Sequence, residues 1–481
     1  MKQGGQPWER VMAQGTVELG IGGLSAGLAL VLFLGPGGCG GGDPGGSPAS
    51  PGVSGLYIAA DGPDGREPWV LRSPSLSPVQ LGDINPGDAG SDPRSFVRLA
   101  DTVYFTARTA TDGRELWRTD GSSAGTEQVL DLNPNGDGIP DTADLTVFDG
   151  RLYFAADDGD KGVEPWVSDG TAEGTQRLQD IRSGGSSDPA RFTESGGKLF
   201  FTAANANGEQ LFVTEGPEDG ATFLEINADG AASPRYLTDL NGQLLFQATN
   251  GSTGKELYQS QGNPDSTALV TDITGGTNGS RPAHITAFSD YVYFSADGPN
   301  NLGVELWRSN GTKAGTKRVE DINTAVGAGS QPRNFQAAGD ILYFSADDGF
   351  NGRELYRLDA DASGAARITD INANGAANPQ GLTDFGGTLV FRANDGEAGR
   401  EPWQYDATQV KAELLADLNS GSDGSNPTGF TVFEDQLFFA ADDGEVGREL
   451  WRITALGFDP LLVGDIDPGG TGSDPGELPA L

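Results

Sequence analysis

One short stretch recurs nine times along the chain: an apolar triplet, the letters A-x-D-G, a few residues, and then a motif close to G-R-E-L-W. It is clearest at Leu152–Trp166 (LYFAADDGDKGVEPW), Leu342–Tyr356 (LYFSADDGFNGRELY) and Leu437–Trp451 (LFFAADDGEVGRELW). The triplets are about 45 to 50 residues apart, which is the repeat length of propeller blades. They begin at Leu56, Val103, Leu152, Leu199, Leu244, Val292, Leu342, Leu389 and Leu437. A repeat array folds as one continuous body, so the 481 residues do not divide into ordinary domains.

Each repeat contains four strand-like stretches. In the eighth repeat these are Pro379–Phe385, Thr388–Ala393, Arg400–Tyr405 and Ala412–Leu418, and the Gly- and Asn-rich connection Asn419–Pro427 follows them. Short turns within the repeat and one longer connection after it indicate a four-stranded antiparallel meander. Meanders chained in this way form the blades of a β-propeller.

The second strand of each repeat is almost continuously apolar rather than alternating, as in LYFAA at Leu152–Ala156. Such a run is expected when both faces of a strand are covered, as in blades stacked around an axis. The 74 glycines and 28 prolines fit short strands joined by many turns. The sequence therefore predicts an all-β protein, a β-propeller of four-stranded antiparallel blades spanning residues 55–481.

The two ends of the repeat array complement each other. The first repeat begins at its second strand (Leu56), whereas Ser473–Leu481 resembles the start of a first strand with nothing after it. We therefore expect the termini to complete one blade and to close a nine-bladed ring. The alternative is an eight-bladed ring with one repeat docked outside, since propellers typically have four to eight blades.

The N-terminal segment predicts export. An uncharged apolar run at Leu19–Leu34 suits the core of an export signal over residues 1–38, and Cys39 stands where a bacterial lipoprotein signal places its lipidated cysteine. Residues 39–54 are Gly-, Pro- and Ser-rich and are expected to form a flexible tether. The expected location is the bacterial cell envelope, as an outer-membrane lipoprotein, or the extracellular space. A plain secretion signal or an uncleaved anchor is the alternative.

The charge balance limits the partners. With 69 acidic and 31 basic residues, the net charge of −38 disfavours nucleic acid and anionic membrane surfaces. Membrane contact is therefore expected only through a lipid on Cys39, and the expected ligand is an extracellular protein or glycan. Excess carboxylates also suit divalent cations.

The third strand and the turn after it resemble the bacterial ELWxxDGT repeat family. The matching segments are Glu115–Thr126 (ELWRTDGSSAGT), Glu164–Thr175 (EPWVSDGTAEGT) and Glu305–Thr316 (ELWRSNGTKAGT), with family-like connections at Asp83–Pro93 and Asp465–Pro475. The resemblance covers about residue 55 to the end, and Gln210–Phe212 departs from it. It implies a repeat-built surface or secreted protein and lends no catalytic residues.

The repeated glutamates of this motif are interpreted as structural, because an active site occurs once whereas these residues recur in nearly every repeat. We expect them to accept hydrogen bonds from turn amides or to pair with the neighbouring arginine. The glutamates are Glu67, Glu115, Glu164, Glu256, Glu305, Glu354, Glu401 and Glu449. The motif's tryptophans are expected to pack between blades.

One connection breaks the pattern and predicts a Ca²⁺ site. The segment Asp131–Asp144 has the spacing of an EF-hand-type loop and resembles thrombospondin type 3 calcium repeats. An enlarged turn that binds no ion is the alternative. The predicted ligands are Asn133, Asn135, Asp137, Ile139, Asp141 and Asp144.

Catalytic motifs are scarce in the sequence. His284 is the single histidine, and we find no nucleophile elbow, phosphate loop or dinucleotide fingerprint in a strand–turn–helix setting. The sequence therefore favours a non-catalytic binding or adhesion scaffold, with calcium as its ion. The alternative is a propeller-type polysaccharide hydrolase or lyase. A lone cluster of carboxylates with an aromatic platform at one mouth of the channel, breaking the repeat symmetry, would favour the enzyme.

Overall fold

A computed structural model describes residues 53–360, 364–455, 459–468, 472–476 and 478–481. Its strands form nine antiparallel sheets arranged in a ring, in which each sheet keeps the order of its strands in the chain. The prediction of an all-β, nine-bladed propeller is confirmed, and the eight-bladed alternative is wrong. The predicted export signal, Cys39 and most of the tether lie outside the described residues.

The blades are numbered 1 to 9 along the chain. Blades 1 to 3 contain β1 (Leu56–Gly62), β2 (Gly65–Leu71), β3 (Val79–Gln80); β4 (Arg94–Leu99), β5 (Thr102–Thr109), β6 (Gly113–Thr119), β7 (Glu127–Leu130); and β8 (Thr146–Phe148), β9 (Arg151–Ala156), β10 (Glu164–Ser168), β11 (Gln176–Arg177). Blades 4 to 6 contain β12 (Ala190–Ser195), β13 (Lys198–Asn205), β14 (Gly208–Thr214), β15 (Thr222–Leu224); β16 (Arg235–Leu240), β17 (Gln243–Thr249), β18 (Lys255–Ser260), β19 (Ala268–Thr271); and β20 (Ala283–Phe288), β21 (Tyr291–Asp297), β22 (Val304–Ser309), β23 (Lys317–Glu320). Blades 7 to 9 contain β24 (Arg333–Ala338), β25 (Ile341–Asp347), β26 (Arg353–Asp359), β27 (Ala366–Arg367); β28 (Gln380–Phe385), β29 (Thr388–Asn394), β30 (Arg400–Asp406), β31 (Lys411–Leu414); and β32 (Thr428–Phe433), β33 (Gln436–Asp442), β34 (Arg448–Ile453), β35 (Leu461–Gly464).

Helical structure is minor. Within the described ranges it amounts to the short 3-10 turns Pro264–Ser266 and Pro299–Asn301. No helix there is both long enough and apolar enough to cross a membrane.

The second strand of each blade is buried on both faces, as its apolar run predicts. In β25, Leu342 and Phe344 pack towards blade 6, whereas Tyr343 packs towards Leu389 and Phe391 of blade 8. The core is therefore a series of layers between blades rather than one central cluster. The tryptophans of the repeated motif lie in or against these layers, as expected: Trp69, Trp117, Trp166, Trp307, Trp403 and Trp451.

The first strands line the central channel, because those of neighbouring blades contact each other around the ring: β4 with β8, β12 with β16, β16 with β20, β20 with β24, β24 with β28, and β28 with β32. First and third strands begin at the same end of the ring, where the connections between blades also lie. We call this end the connection face, and the opposite end the turn face.

The C-terminal residues close the ring. The amides of Tyr57 and Gly55 donate to the carbonyl oxygens of Pro479 and Leu481, at 3.1 and 3.0 Å. Isolated bridges join Leu56 with Ala480 and Ala59 with Gly476. These residues supply the missing inner strand of blade 1, and Leu478 is buried in the core beside it.

Deleting residues 477–481 should destabilise the protein, because the deletion removes the hydrogen bonds to Gly55 and Tyr57 together with the buried Leu478 side chain. We expect a loss of about 3 kcal/mol or more in the free energy of unfolding, and self-association through the exposed edge of β1. Urea unfolding and analytical ultracentrifugation measure both effects. Leu478→Ala, which keeps the backbone pairing, should lose less. An unchanged unfolding midpoint and monodispersity in the truncated protein would contradict ring closure.

Candidate functional site

The repeated glutamates fasten each blade to the connection that follows it. Glu305 is fully buried, and its carboxylate accepts hydrogen bonds from the amides of Ile322 (3.0 Å) and Ser330 (2.9 Å) and from the Ser330 hydroxyl (2.6 Å). A serine hydroxyl fills the same place in several other blades, on Glu67, Glu164, Glu256, Glu401 and Glu449. The prediction that turn amides satisfy these glutamates is confirmed, and their role is structural.

Burial makes these glutamates hard to ionise. It raises the pKa of Glu115 to about 8, although the amides of Leu132 and Gly138 donate to its carboxylate and partly oppose the shift. Blade 4 has Gln210 at this position, and the amide group donates instead to the carbonyl oxygens of Asn227 and Gly230. In blade 4 the side chain therefore holds the connection by donating hydrogen bonds to it, whereas the glutamates accept them.

The raised pKa of Glu115 predicts a stability that falls with pH. In the unfolded chain the carboxyl loses its proton near its ordinary pKa of 4.5, whereas in the folded protein it keeps the proton up to about 8. The folded state thus binds more protons between these values, and the free energy of unfolding should decrease as pH rises through them. Urea unfolding at several pH values should show a shallower decrease for Glu115→Gln than for wild type. The exposed Glu127→Gln serves as the control, and parallel slopes for wild type and Glu115→Gln would refute the assignment.

Arginines from outside the predicted calcium loop contact two of its predicted ligands. Asp137 and Asp141 lie 2.9 and 3.1 Å from the guanidinium of Arg108, and Asp141 also accepts a 2.8 Å hydrogen bond from Nε of the fully buried Arg114. Burial tends to raise the pKa of Asp141, but its bond to Arg114 and the nearby arginine charges outweigh that and lower the pKa.

The other predicted calcium ligands do not join this pair. Ile139 is fully buried, its side chain lies in the layer between blades 2 and 3, and its amide donates to the Arg114 carbonyl oxygen. Asn133 Oδ1 accepts from the amide of Asn135, and Asp144 is exposed. In the part of the chain that the structure describes, no three His, Cys, Asp or Glu side chains form a group suited to a metal ion.

Calcium binding by this loop stays a prediction that titration can test. Calorimetry should show one weak Ca²⁺ site in wild type and none in the Asp137→Ala/Asp141→Ala double variant, because both substitutions remove carboxylate oxygens. Equal uptake by the two proteins would reject the site. The exposed Asp101→Ala is a control on another loop.

A β-bulge interrupts the first strand of blades 2 and 4 to 9, close to the connection face. The second residue of each of these strands has a positive φ, which is uncommon for residues other than glycine, and bulges re-aim the side chain at such a position. This residue differs from blade to blade, unlike the buried motifs: Ser95, Arg191, Tyr236, His284, Asn334, Gly381 and Gly429. The bulge positions therefore break the repeat symmetry at the channel wall.

Two of these residues form a pair. His284 and Tyr236 come from neighbouring blades, with ring centroids 5.6 Å apart and planes inclined by 50°. Both side chains are exposed. Although the side chain is exposed, partial loss of hydration at the channel wall, followed by the positive charges of Arg333 and Arg353, lowers the pKa of His284. The imidazole is therefore neutral at neutral pH and can accept a proton.

The arginines beside this pair lack acidic partners. Arg353 is buried and donates to the carbonyl oxygen of Ser345 at 3.0 Å, and among the described residues no carboxylate lies within 4 Å of Arg353 or Arg333. Burial and the charge of Arg333 lower the pKa of Arg353 to about 10. By contrast Arg114, at the same place in blade 2, is paired with both Asp92 and Asp141. Arg353 thus has no carboxylate in ion-pair contact, and the negative charge of Asp347 offsets its charge only in part.

Comparison with known proteins gives structural neighbours only. No protein family matches the chain, and no curated protein does. A puromycin hydrolase structure is 16% identical over 73% of this chain and 58% of that chain, with a TM-score of 0.37. A puromycin-hydrolyzing peptidase of Mycobacterium tuberculosis is 12% identical over 73% of this chain and 57% of that chain, with a TM-score of 0.37. A prolyl endopeptidase structure is 13% identical over 74% of this chain and 55% of that chain, with a TM-score of 0.38. This chain therefore spans less than two thirds of their length.

These neighbours correct one prediction. They are hydrolases, so the expectation of a non-catalytic binding or adhesion scaffold is wrong, and the enzyme alternative agrees better with them. TM-scores below 0.5 identify no reaction, which has to be argued from side chains. His284 is the single histidine of the sequence, so its pairing with Tyr236 was not predicted. In the blades with a bulge, the bulge residue follows a proline by two positions, as His284 follows Pro282. The variation of this residue from repeat to repeat was the signal that could have found the pair.

Proposed function

We propose that the protein is a polysaccharide lyase that acts on uronate-containing chains at the connection-face mouth of its channel. The observation that carries the proposal is the His284–Tyr236 pair beside Arg333 and Arg353, which have no acidic partner among the described residues. The pair breaks the repeat symmetry, but it consists of a histidine and a tyrosine beside arginines and not of the carboxylates expected from the sequence. It is unlike the pair of carboxylates that a typical glycoside hydrolase uses.

Each group has a role in β-elimination. The guanidinium groups of Arg333 and Arg353 neutralise the sugar carboxylate, which makes the proton on the adjacent carbon C5 more acidic and stabilises the charge that develops. The neutral imidazole of His284 takes that proton, and the hydroxyl of Tyr236 protonates the leaving glycosidic oxygen. The C5–H and C4–O bonds break, the C4=C5 double bond forms, and proton exchange with water restores both side chains.

The nearby carboxylate Glu209 does not suit a hydrolytic role. It lies 2.8 and 2.6 Å from the guanidinium groups of Arg191 and Arg235, which span blades 4 and 5. The oxygens of this carboxylate are engaged by the two guanidinium groups and are not free to activate water or to contact a leaving group. The site therefore supports elimination better than acid-assisted hydrolysis.

His284→Ala and Tyr236→Phe should each lower kcat/KM on polygalacturonate by about a hundredfold or more, the usual contribution of a general base or acid. The ultraviolet absorbance of the unsaturated product measures the reaction. The rate should rise with pH as His284 loses its proton, with a midpoint below 6.5 because its pKa is lowered. Tyr291→Phe, on the same blade but at the turn end of β21, is the matched control.

Two results would overturn the proposal. One is full activity in His284→Ala. The other is release of product from puromycin or a prolyl peptide, with none from uronate, alginate or glycosaminoglycan polymers, which would make the protein a peptidase.

A further inference from the structure

The arginines at the connection face differ in their ion pairing from blade to blade. In blades 1 to 5, each arginine near the start of a first or third strand lies within 4 Å of a carboxylate: Arg66, Arg94, Arg114, Arg191 and Arg235. Blades 8 and 9 contain a second group, Arg392, Arg400 and Arg448, which we call the arginine sector. In this sector Arg392 and Arg400 have no carboxylate within 4 Å among the described residues, and only Arg448 has one.

Within the arginine sector most hydrogen-bond partners are neutral. Arg392 donates to the side-chain oxygen of Gln380 and to the Pro427 carbonyl oxygen. Arg400 is exposed and has no ion pair with any described residue. Arg448 is the exception, since its Nε lies 3.3 Å from a mostly exposed carboxylate of Asp474.

All three arginines contact the same loop. Arg392 donates to the Pro427 carbonyl oxygen, Arg448 donates to the Asn426 carbonyl oxygen, and the Asn426 amide donates to the Arg400 carbonyl oxygen. Burial, and after it the charges of Arg400 and Arg448, lowers the pKa of Arg392. Like charges held near one another disfavour the folded state unless an anion joins them. Asp474 and, after it, Asp442 offset the charge of Arg448, whereas Arg392 and Arg400 have no carboxylate within 4 Å among the described residues. The charge of these two arginines is therefore left to attract an anion.

The bulge positions of this sector are glycines. Blades 8 and 9 carry Gly381 and Gly429 there, where other blades have Ser95, Arg191, Tyr236, His284 or Asn334. Both glycines have positive φ, and a Cβ on Gly429 would lie 2.6 Å from Leu478 Cδ1, so Leu478 fills the space beside it. The bulge residues of these two blades therefore add no side chain of their own to the channel wall.

We propose that the arginine sector is a second anion subsite, which binds a carboxylate of an acidic polysaccharide several sugars away from the His284–Tyr236 pair. The identity of the polymer rests on the proposed function, whereas the anion subsite rests on the arginines alone. A planar guanidinium donates two parallel hydrogen bonds to a carboxylate, which is why arginine suits this task. The protein would then prefer a polyanionic chain to a short oligosaccharide.

Affinity electrophoresis in gels containing polygalacturonate tests the subsite, with His284→Ala present in every protein so that the polymer is not cut. Arg392→Gln/Arg400→Gln should weaken binding by about tenfold or more. Arg400→Gln alone, which changes an exposed side chain, should weaken it less and guards against a folding defect in the double variant. Arg118→Gln, at the turn face and ion-paired with Glu127, should leave binding unchanged.

Two control ligands distinguish recognition of the carboxylates from recognition of the sugar backbone. Fully methyl-esterified polygalacturonate has the same backbone without the carboxylates and should not bind. Unchanged binding in Arg392→Gln/Arg400→Gln, equal binding of the ester, or equal and arginine-dependent binding of single-stranded DNA would each overturn the subsite. Full lyase activity in His284→Ala would instead reject the proposed function and leave the binding result to decide the subsite by itself.

Discussion

A buried carboxylate at the start of the third strand holds nearly every blade to the next. Its two oxygens accept hydrogen bonds from the amides at the two ends of the connection, as Glu305 does with Ile322 and Ser330. The connection is a loop of turns with no ladder of its own, so without this acceptor its buried amides would be unsatisfied. The same bond positions the first residues of the following inner strand, and the bulge residues on the channel wall depend on it.

This arrangement separates structure from function within one repeat. The second and third strands keep similar buried residues in nearly every blade because they must pack against similar neighbours on both sides. The bulge of the first strand faces the channel and is free of that demand. It carries a histidine, a tyrosine or a glycine without disturbing the layers between blades. A site that occurs once is thereby built on a scaffold that repeats.

The buried and channel-side arginines are neutralised to different extents around the ring. Blade 2 neutralises its buried arginine completely, since Arg114 touches Asp92 and Asp141. Blades 7 and 8 leave Arg353 and Arg400 without a carboxylate partner among the described residues. Salt screens charges over about 8 to 10 Å, so an anion inside the mouth responds to these nearest groups more than to the distant acidic surface. The proposed binding of an anion by this acidic protein therefore depends on these arginines.

The amino-acid sequence by itself determined the repeat number, the four strands of each blade, the strand from the C-terminus that closes blade 1, and the structural role of Glu305 and its equivalents. These follow from local patterns: apolar runs, turn residues and regular spacing. Only the tertiary structure decided that Asp137 and Asp141 face Arg108 and Arg114, and that Tyr236 and His284 meet although they belong to different repeats. The physical reason is that a register shift at each bulge selects which side chain reaches the channel. Ring geometry then brings residues about 50 positions apart into contact, which no spacing within a single repeat reveals.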